Sequence, residues 1–202
     1  MNDSSTGGYL QTTVTSPSYD AALELFFQAV VVGVTGMTPS LVRRRWQPVP
    51  PAQPEATVDW ASIGITYIEA LNPVVLHDGA ANSGNGQSNM TTQECVNVLC
   101  TFYGPDAWGN AAALRDGLWI GQNREQLFLN GVALQDIGRI VKAAELVNEV
   151  WIPRSDIGIE FERQTGRTYS ILNLLSAQGN IIRVTLPNGP EDIVTWDTTI
   201  IG

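Results

Sequence analysis

Two stretches constrain this chain most: Cys100–Glu125 (CTFYGPDAWGNAAALRDGLWIGQNRE) and Glu145–Arg163 (ELVNEVWIPRSDIGIEFER). In the first, strand-like residues give way to helical spacing at Gly104-Pro105, where proline suits the first helical position. Ala107, Ala111, Leu114 and Leu118 share one stripe of that helix, and Trp108, Ala112 and Trp119 the adjoining one. The small alanines permit close approach to a sheet. Gly121 is expected to stop the helix. Asn123 with Gln126 resembles a capping box that opens a second short helix, ending at Asn130-Gly131. In the second stretch Ile157, Ile159 and Phe161 alternate with Gly158, Glu160 and Glu162. That is an antiparallel strand with one face on a core and one toward water. Neither stretch holds a catalytic group in a catalytic setting.

The remaining segments extend this pattern. Residues 1–15 are rich in Ser, Thr and Gly and are expected to form a flexible arm. Ser16, Pro17 and Ser18 supply helix-start signals. Ala22, Leu25, Phe26, Ala29, Val30 and Gly33 then fall at helical spacing, with Gly33 and Gly36 ending the helix. Leu41–Trp46 (LVRRRW) reads as a short strand with arginine on both faces, which suits an edge strand or a subunit contact. Gln47–Pro54 has four prolines and cannot continue a ladder, so it predicts a stiff, extended loop.

Trp60–Ala70 reads as a strand that Val74–His77 extends or pairs with, and Gln93–Tyr103 as its partner in a β-hairpin. Between them Asp78–Asn89 (DGAANSGNGQSN) predicts a long, mobile loop that only a partner would order. Gly138–Val150 and Arg154–Thr168 are two more strand candidates, and Ile171–Leu175 and Ile181–Leu186 add edge strands. The expected class is α+β: one domain with a mostly antiparallel sheet and a long β-hairpin, packed against two to three helices. Its expected boundaries are an arm at 1–15, the domain at 16–184 and a C-terminal extension at 185–202.

The 202 residues carry a net charge of −9, a poor match to general nucleic-acid or anionic-membrane binding. Residues 1–13 lack the basic and apolar regions of a signal peptide. The apolar run Ala21–Met37 is short for a membrane span and carries Glu24 and Gln28. The cations are ten arginines and a single lysine, Lys142, alongside six tryptophans. Arg and Trp dominate interface hot spots whereas Lys is depleted there, although genomic codon bias would give the same excess.

Catalytic and metal readings fail one by one. His77 is the single histidine, beside Asp78 at a loop start, with no GxSxG-type nucleophile motif. Cys95 and Cys100 lie five apart on one strand, hence on opposite faces and unable to bridge, and no CxxC pair suggests zinc. A reduced, intracellular setting is expected. Glu160/Glu162 and Glu191/Asp192 are acidic pairs, the first on the polar face of a strand. Gly84-Asn85-Gly86 lacks the GK[ST] of a phosphate loop. The expected catalytic, metal and cofactor-binding sets are therefore empty. Arg43, Arg44 and Arg45, with Trp46, instead suit carboxylates of a partner, and Asp78, Asn82, Asn85, Gln87 and Asn89 are the expected contact residues of the loop.

Taken together, PSLVRRRWQPVPPAQP, DWASIGI, VLCTFYGPDAWGNAAALRDGLWIGQNRE and ELVNEVWIPRSDIGIEFER resemble the neck or tail terminator proteins of tailed bacteriophages, over Tyr19 to Gly179. The strongest pieces are Val42–Pro51, and Glu145–Arg163 with Asn148, Trp151, Arg154 and Asp156. Trp151 and Arg154 join the expected interface residues on this ground. The resemblance implies a small α/β protein forming a ring of about six copies. That ring terminates the tail tube, with a sheath as a further expected contact, and joins the tube to the connector or head-completion protein. DNA passes through without specific binding. The implied place is the virion neck, after assembly in the bacterial cytoplasm. A negative lumen would let DNA slide. Other head-completion, tube-end or adaptor rings are the rival readings, with a virion hydrolase further off. Thr185–Gly202 does not match the family pattern.

Overall fold

The computed structural model describes residues 4–13, 18–147, 149–174, 176–183 and 192–199. Its chain packs as two compact units: Pro17–Pro73 with Thr91–Thr165, and Met1–Ser16 with Val74–Met90 and Gly166–Gly202. The sheet has six strands: β1 (Val42–Arg44), β2 (Trp60–Asp78), β3 (Gln87–Tyr103), β4 (Val132–Ile137), β5 (Val141–Val147) and β6 (Val150–Tyr169). The order is β1-β2-β3-β6-β4, with β5 also paired to β6. β1 is a parallel edge strand, Val42 opposite Ala61, whereas β4 and β5 run antiparallel to β6. With three helices this is the expected α+β class, including its long hairpin.

In the first unit, alternation along the strands sends Val42, Ile63, Val96, Val98, Cys100, Phe102, Ile157, Ile159 and Phe161 into one core. Helices α1 (Asp20–Thr35), α2 (Ala107–Leu118) and α3 (Gly121–Leu129) supply its other half. The predicted α2 stripe of Ala107, Ala111, Leu114 and Leu118 is the buried one. The helix opens at Ala107, two positions after Pro105, and Gly121 begins α3 rather than ending α2. Asn123 does not close a capping box but donates to the Gly117 carbonyl at 2.8 Å.

Other sequence expectations shift. α1 buries Leu23, Phe27 and Val31, whereas Ala22, Leu25, Ala29 and Gly33 of the expected face are exposed. The run is apolar almost all round, so periodicity left its orientation open. Phe27 settles it by packing on Phe161, ring centroids 4.8 Å apart. Only Gly36, at φ 71°, ends this helix, its N–H bonded to the Val32 carbonyl. Val132–Ile137 was not anticipated as a strand; a bulge between Leu134 and Asp136 breaks its alternation.

One buried ion pair ties three elements of this unit. Glu94 of β3 and Arg163 of β6, each 7% exposed, meet at 2.8 Å. Arg163 Nε donates to Glu94 Oε2 and its Nη1 donates to the Ser18 carbonyl ahead of α1. The Tyr19 hydroxyl donates to Glu94 Oε1, and its ring lies 4.6 Å from the guanidinium.

In the second unit β2 continues unbroken to Asp78 and β3 resumes at Gln87, so the loop is residues 79–86. It is held from within the chain rather than left mobile. The Asn173 side chain donates to the Gly79 and Gly84 carbonyls, and its backbone N–H to the Asn85 carbonyl. Asp78 Oδ1 accepts from the Ala80 and Ala81 amides. Thr12, in the segment expected to be a flexible arm, bridges to Tyr169, and the Ser4 hydroxyl accepts from the Leu172 amide. Residues 171–174 form no strand, whereas β7 (Ser176–Arg183) and β8 (Asp192–Thr199) form a separate antiparallel pair. Part of the expected C-terminal extension is thus a strand. Ser16, Pro17, Asn148, Leu175, Leu186 and Glu191 lie outside the described residues.

Replacing one partner of the buried pair strands the other charge. Glu94→Ala is expected to cost about 3–5 kcal/mol of stability, read as a lowered denaturation midpoint in urea. A loss below 1 kcal/mol, about that of an exposed pair, would show the site to be hydrated.

Candidate functional site

The sheet face away from the helices carries the chemistry of the first unit. At one end Trp60 of β2 stacks flat on Tyr103 of β3, centroids 4.1 Å apart at 7°. A guanidinium caps each side: Arg43 of β1 lies 5.7 Å from the Trp60 ring and Arg154 of β6 lies 5.9 Å from the Tyr103 ring. The four residues form a ladder across four strands, each cation held over a π face.

The cations differ in how they are neutralised. Arg154 makes a two-pronged contact to Asp156, at 3.0 and 2.8 Å, and reaches Glu145 at 3.7 Å. Arg44 lies 3.9 Å from Glu24, whose carboxyl is pushed up by burial and only partly offset by Arg44. Among the described residues Arg43 donates only to backbone carbonyls, those of Ala52 at 2.6 Å and Ser40 at 3.4 Å. Arg45 Nη2 donates to the Thr101 hydroxyl, which donates on to Asp156 at 2.6 Å, while Arg45 Nε is buried with no hydrogen-bond partner among the described residues. Arg43 and Arg45 are therefore cations without a carboxylate within ion-pair distance among the described residues.

A cleft of about 450 Å³ opens over this ladder, lined by Arg43, Arg45, Trp60 and Tyr103 and walled by Pro50 and Pro51. The predicted stiff loop is that wall, held by the Arg43–Ala52 bond. Trp46 turns the chain into it at φ 51° and remains 66% exposed. The turn is possible because residue 64 has no side chain: a Cβ there would sit 2.8 Å from the Trp46 ring and 2.9 Å from Arg45 Cβ.

Of the residues expected to act, Arg43, Arg44, Arg45 and Trp46 thus line one cleft, with Arg154 on its aromatic floor. Trp151 stands apart, 66% exposed at the tip of the β5–β6 hairpin opposite Leu146, with Val150 also in water. Asp78, Asn82, Asn85, Gln87 and Asn89 belong to the second unit. There Asn82 and Asn85 are exposed, while Asn89 accepts from Thr168. Trp60, Tyr103, Thr101 and Asp156 were not anticipated as site members. The available signal was an aromatic at each outer end of the predicted hairpin, but pairing them requires the register.

The groups weighed for catalysis sit in structural settings. His77 lies in β2, not at a loop start, and has neighbours on both nitrogens: Asn173 Oδ1 at 2.8 Å and Ser88 Oγ at 3.2 Å. Because Asn173 already donates its amide to two carbonyls, its oxygen accepts from His77 Nε2–H. Ser88 is buried. Both cysteines are free and buried, Cys100 in the core and Cys95 outside that cluster, as the odd spacing required. Burial pushes the Cys100 thiol up to about 12, with Arg45 offsetting part of it. Among the described residues no acidic, histidine or cysteine group could hold a metal ion, and no helix is long and apolar enough to cross a membrane.

A family model described as phage neck terminator protein matches residues 21–185 of the chain. No curated protein is matched.

Two outcomes follow from the geometry. Gly64→Ala is expected to displace Arg45 and Trp46 and to cost about 1–3 kcal/mol, measured by urea unfolding; an unchanged midpoint would mean the turn is loose. Alkylation with iodoacetamide at pH 8 is expected to leave Cys95 and Cys100 unmodified in the native protein and to label both after unfolding. Rapid native labelling of Cys100, followed by peptide mapping, would contradict its burial.

Proposed function

Because the chain belongs to the phage neck terminator family, a structural family of the bacteriophage neck, we propose that copies of it form a closed ring at the head–tail junction. The ring ends the tail tube and joins it to the connector, with DNA passing through. The family match across residues 21–185 carries this reading. Two surface features support it. The cleft holds unpaired cations over an aromatic floor, and the β5–β6 tip leaves Leu146, Val150 and Trp151 at 56%, 52% and 66% exposure. Such groups gain most when a protein surface removes them from water. The net charge of −9 fits a passage that does not hold DNA by its phosphates. In this reading the chain performs no chemistry: its work is contact, and the exposed Asn82 and Asn85 of the loop meet the adjacent ring or tube.

Cryo-EM of assembled particles tests the proposal. The expected result is a closed ring of this chain between connector and tube, with residues 79–86 against a neighbouring protein. A single copy, or density elsewhere in the particle, would overturn it. A ring confined to the connector side would instead assign the chain to head completion.

A further inference from the structure

The open face of the sheet in the first unit is electrically divided. At one end are Arg43 and Arg45, neither in an ion pair among the described residues, with Glu145, bound to Arg154, on the cleft's lining and Asp156 reached from Arg45 only through the Thr101 hydroxyl. About 20 Å along β6 from Arg154, at about 3.3 Å per residue, lies Glu160. It stands in register with Asp136 on β4, two like charges directly opposite, an arrangement that costs stability unless a cation is supplied. Glu162 follows two positions on, on the same face, and Glu69 is exposed on β2. Glu69, Glu160 and Glu162 lie near enough together that each raises the Cys95 thiol, after burial. Tyr67 donates to Glu160 at 3.0 Å, yet none of the four carboxylates has an ion pair among the described residues. None of them belongs to a group able to hold a metal ion.

We infer that the cleft over Trp60 receives the acidic end of the same sheet face on a second copy, Arg43 meeting Glu160. This rests on the ring reading and names the surfaces that close it. Two copies at −9 each repel at long range, so association needs local pairing of opposite charge. The cleft supplies cations beside aromatic and proline walls, and guanidinium matches carboxylate in fork geometry. Because donor and acceptor patches are different surfaces, each copy offers one of each. In the head-to-tail arrangement that the ring reading requires, the contact is heterologous, each copy using its cleft on one neighbour and its acidic end on the other; a reciprocal two-copy pairing would be isologous and would stop at a dimer.

Charge exchange tests the pairing. Arg43 and Glu160 are both half-buried, and Arg43 also bonds to Ala52 of the proline loop, so thermal unfolding of Arg43→Glu and Glu160→Arg is measured first, with Arg43→Gln and Glu160→Gln as the milder variants where either is destabilised. Each is expected to weaken self-association by about tenfold or more in sedimentation analysis. Mixing the two variants, or combining both substitutions in one chain, is expected to restore it. Independently, a chain carrying both Arg43→Cys and Glu160→Cys is expected to give a ladder of disulfide-linked multimers under oxidation, since Cys95 and Cys100 are buried. Wild-type rings that persist in both single variants, with no ladder, would overturn this inference and leave the ring reading standing. Wild type that forms no ring in solution or in particles would overturn both.

Discussion

Arg163 and Glu94 meet at 2.8 Å with both side chains buried, and the arrangement of the first unit keeps that pair together. Each ion must find its partner or a hydrogen bond, because an unpaired charge there costs several kcal/mol. Arg163 therefore holds β6 beside β3, and through the Ser18 carbonyl it draws in the segment entering α1. Tyr19 completes the clamp with its hydroxyl on Glu94 and its ring against the guanidinium. α1 then presents Leu23, Phe27 and Val31 to the sheet, with Phe26, Val30, Val32 and Val34 packed partly buried beside them and Leu25 outward.

Placing all three helices on one face leaves the other face without a helical cover. An antiparallel sheet tolerates this, since one side can face water. Here that side carries an aromatic stack capped by cations at one end and unpaired carboxylates at the other. Interface energy in general concentrates in buried aromatics and arginines, while charge sets partner and register, which is why the proposed ring places its contacts on this face. The single histidine and both cysteines are absorbed into packing, His77 between Ser88 and Asn173 and the thiols in strand β3.

Local pattern carried much of this in advance. The α2 stripe, the alternation of Ile157, Ile159 and Phe161, the β2–β3 hairpin and the edge character of Val42–Arg44 were legible because each depends on spacing within one segment. The neck family was legible too, from strings such as Val42–Pro51 and Glu145–Arg163. The Gly/Asn-rich loop misled, since its composition predicts motion, whereas Asn173, far along the chain, supplies the bonds that hold it.

By itself, then, the sequence determined the class of fold, most strand and helix identities and the family, because side-chain period and turn chemistry act over a few residues. Tertiary structure alone decided which face of α1 is buried, that Glu94 and Arg163 meet, and that Trp60 stacks on Tyr103 between Arg43 and Arg154. These depend on strand register and on contacts between distant segments. A uniformly apolar helix and a scatter of arginines do not encode them locally; packing selects one orientation and one set of partners because apolar burial and the pairing of most buried polar groups must be achieved together.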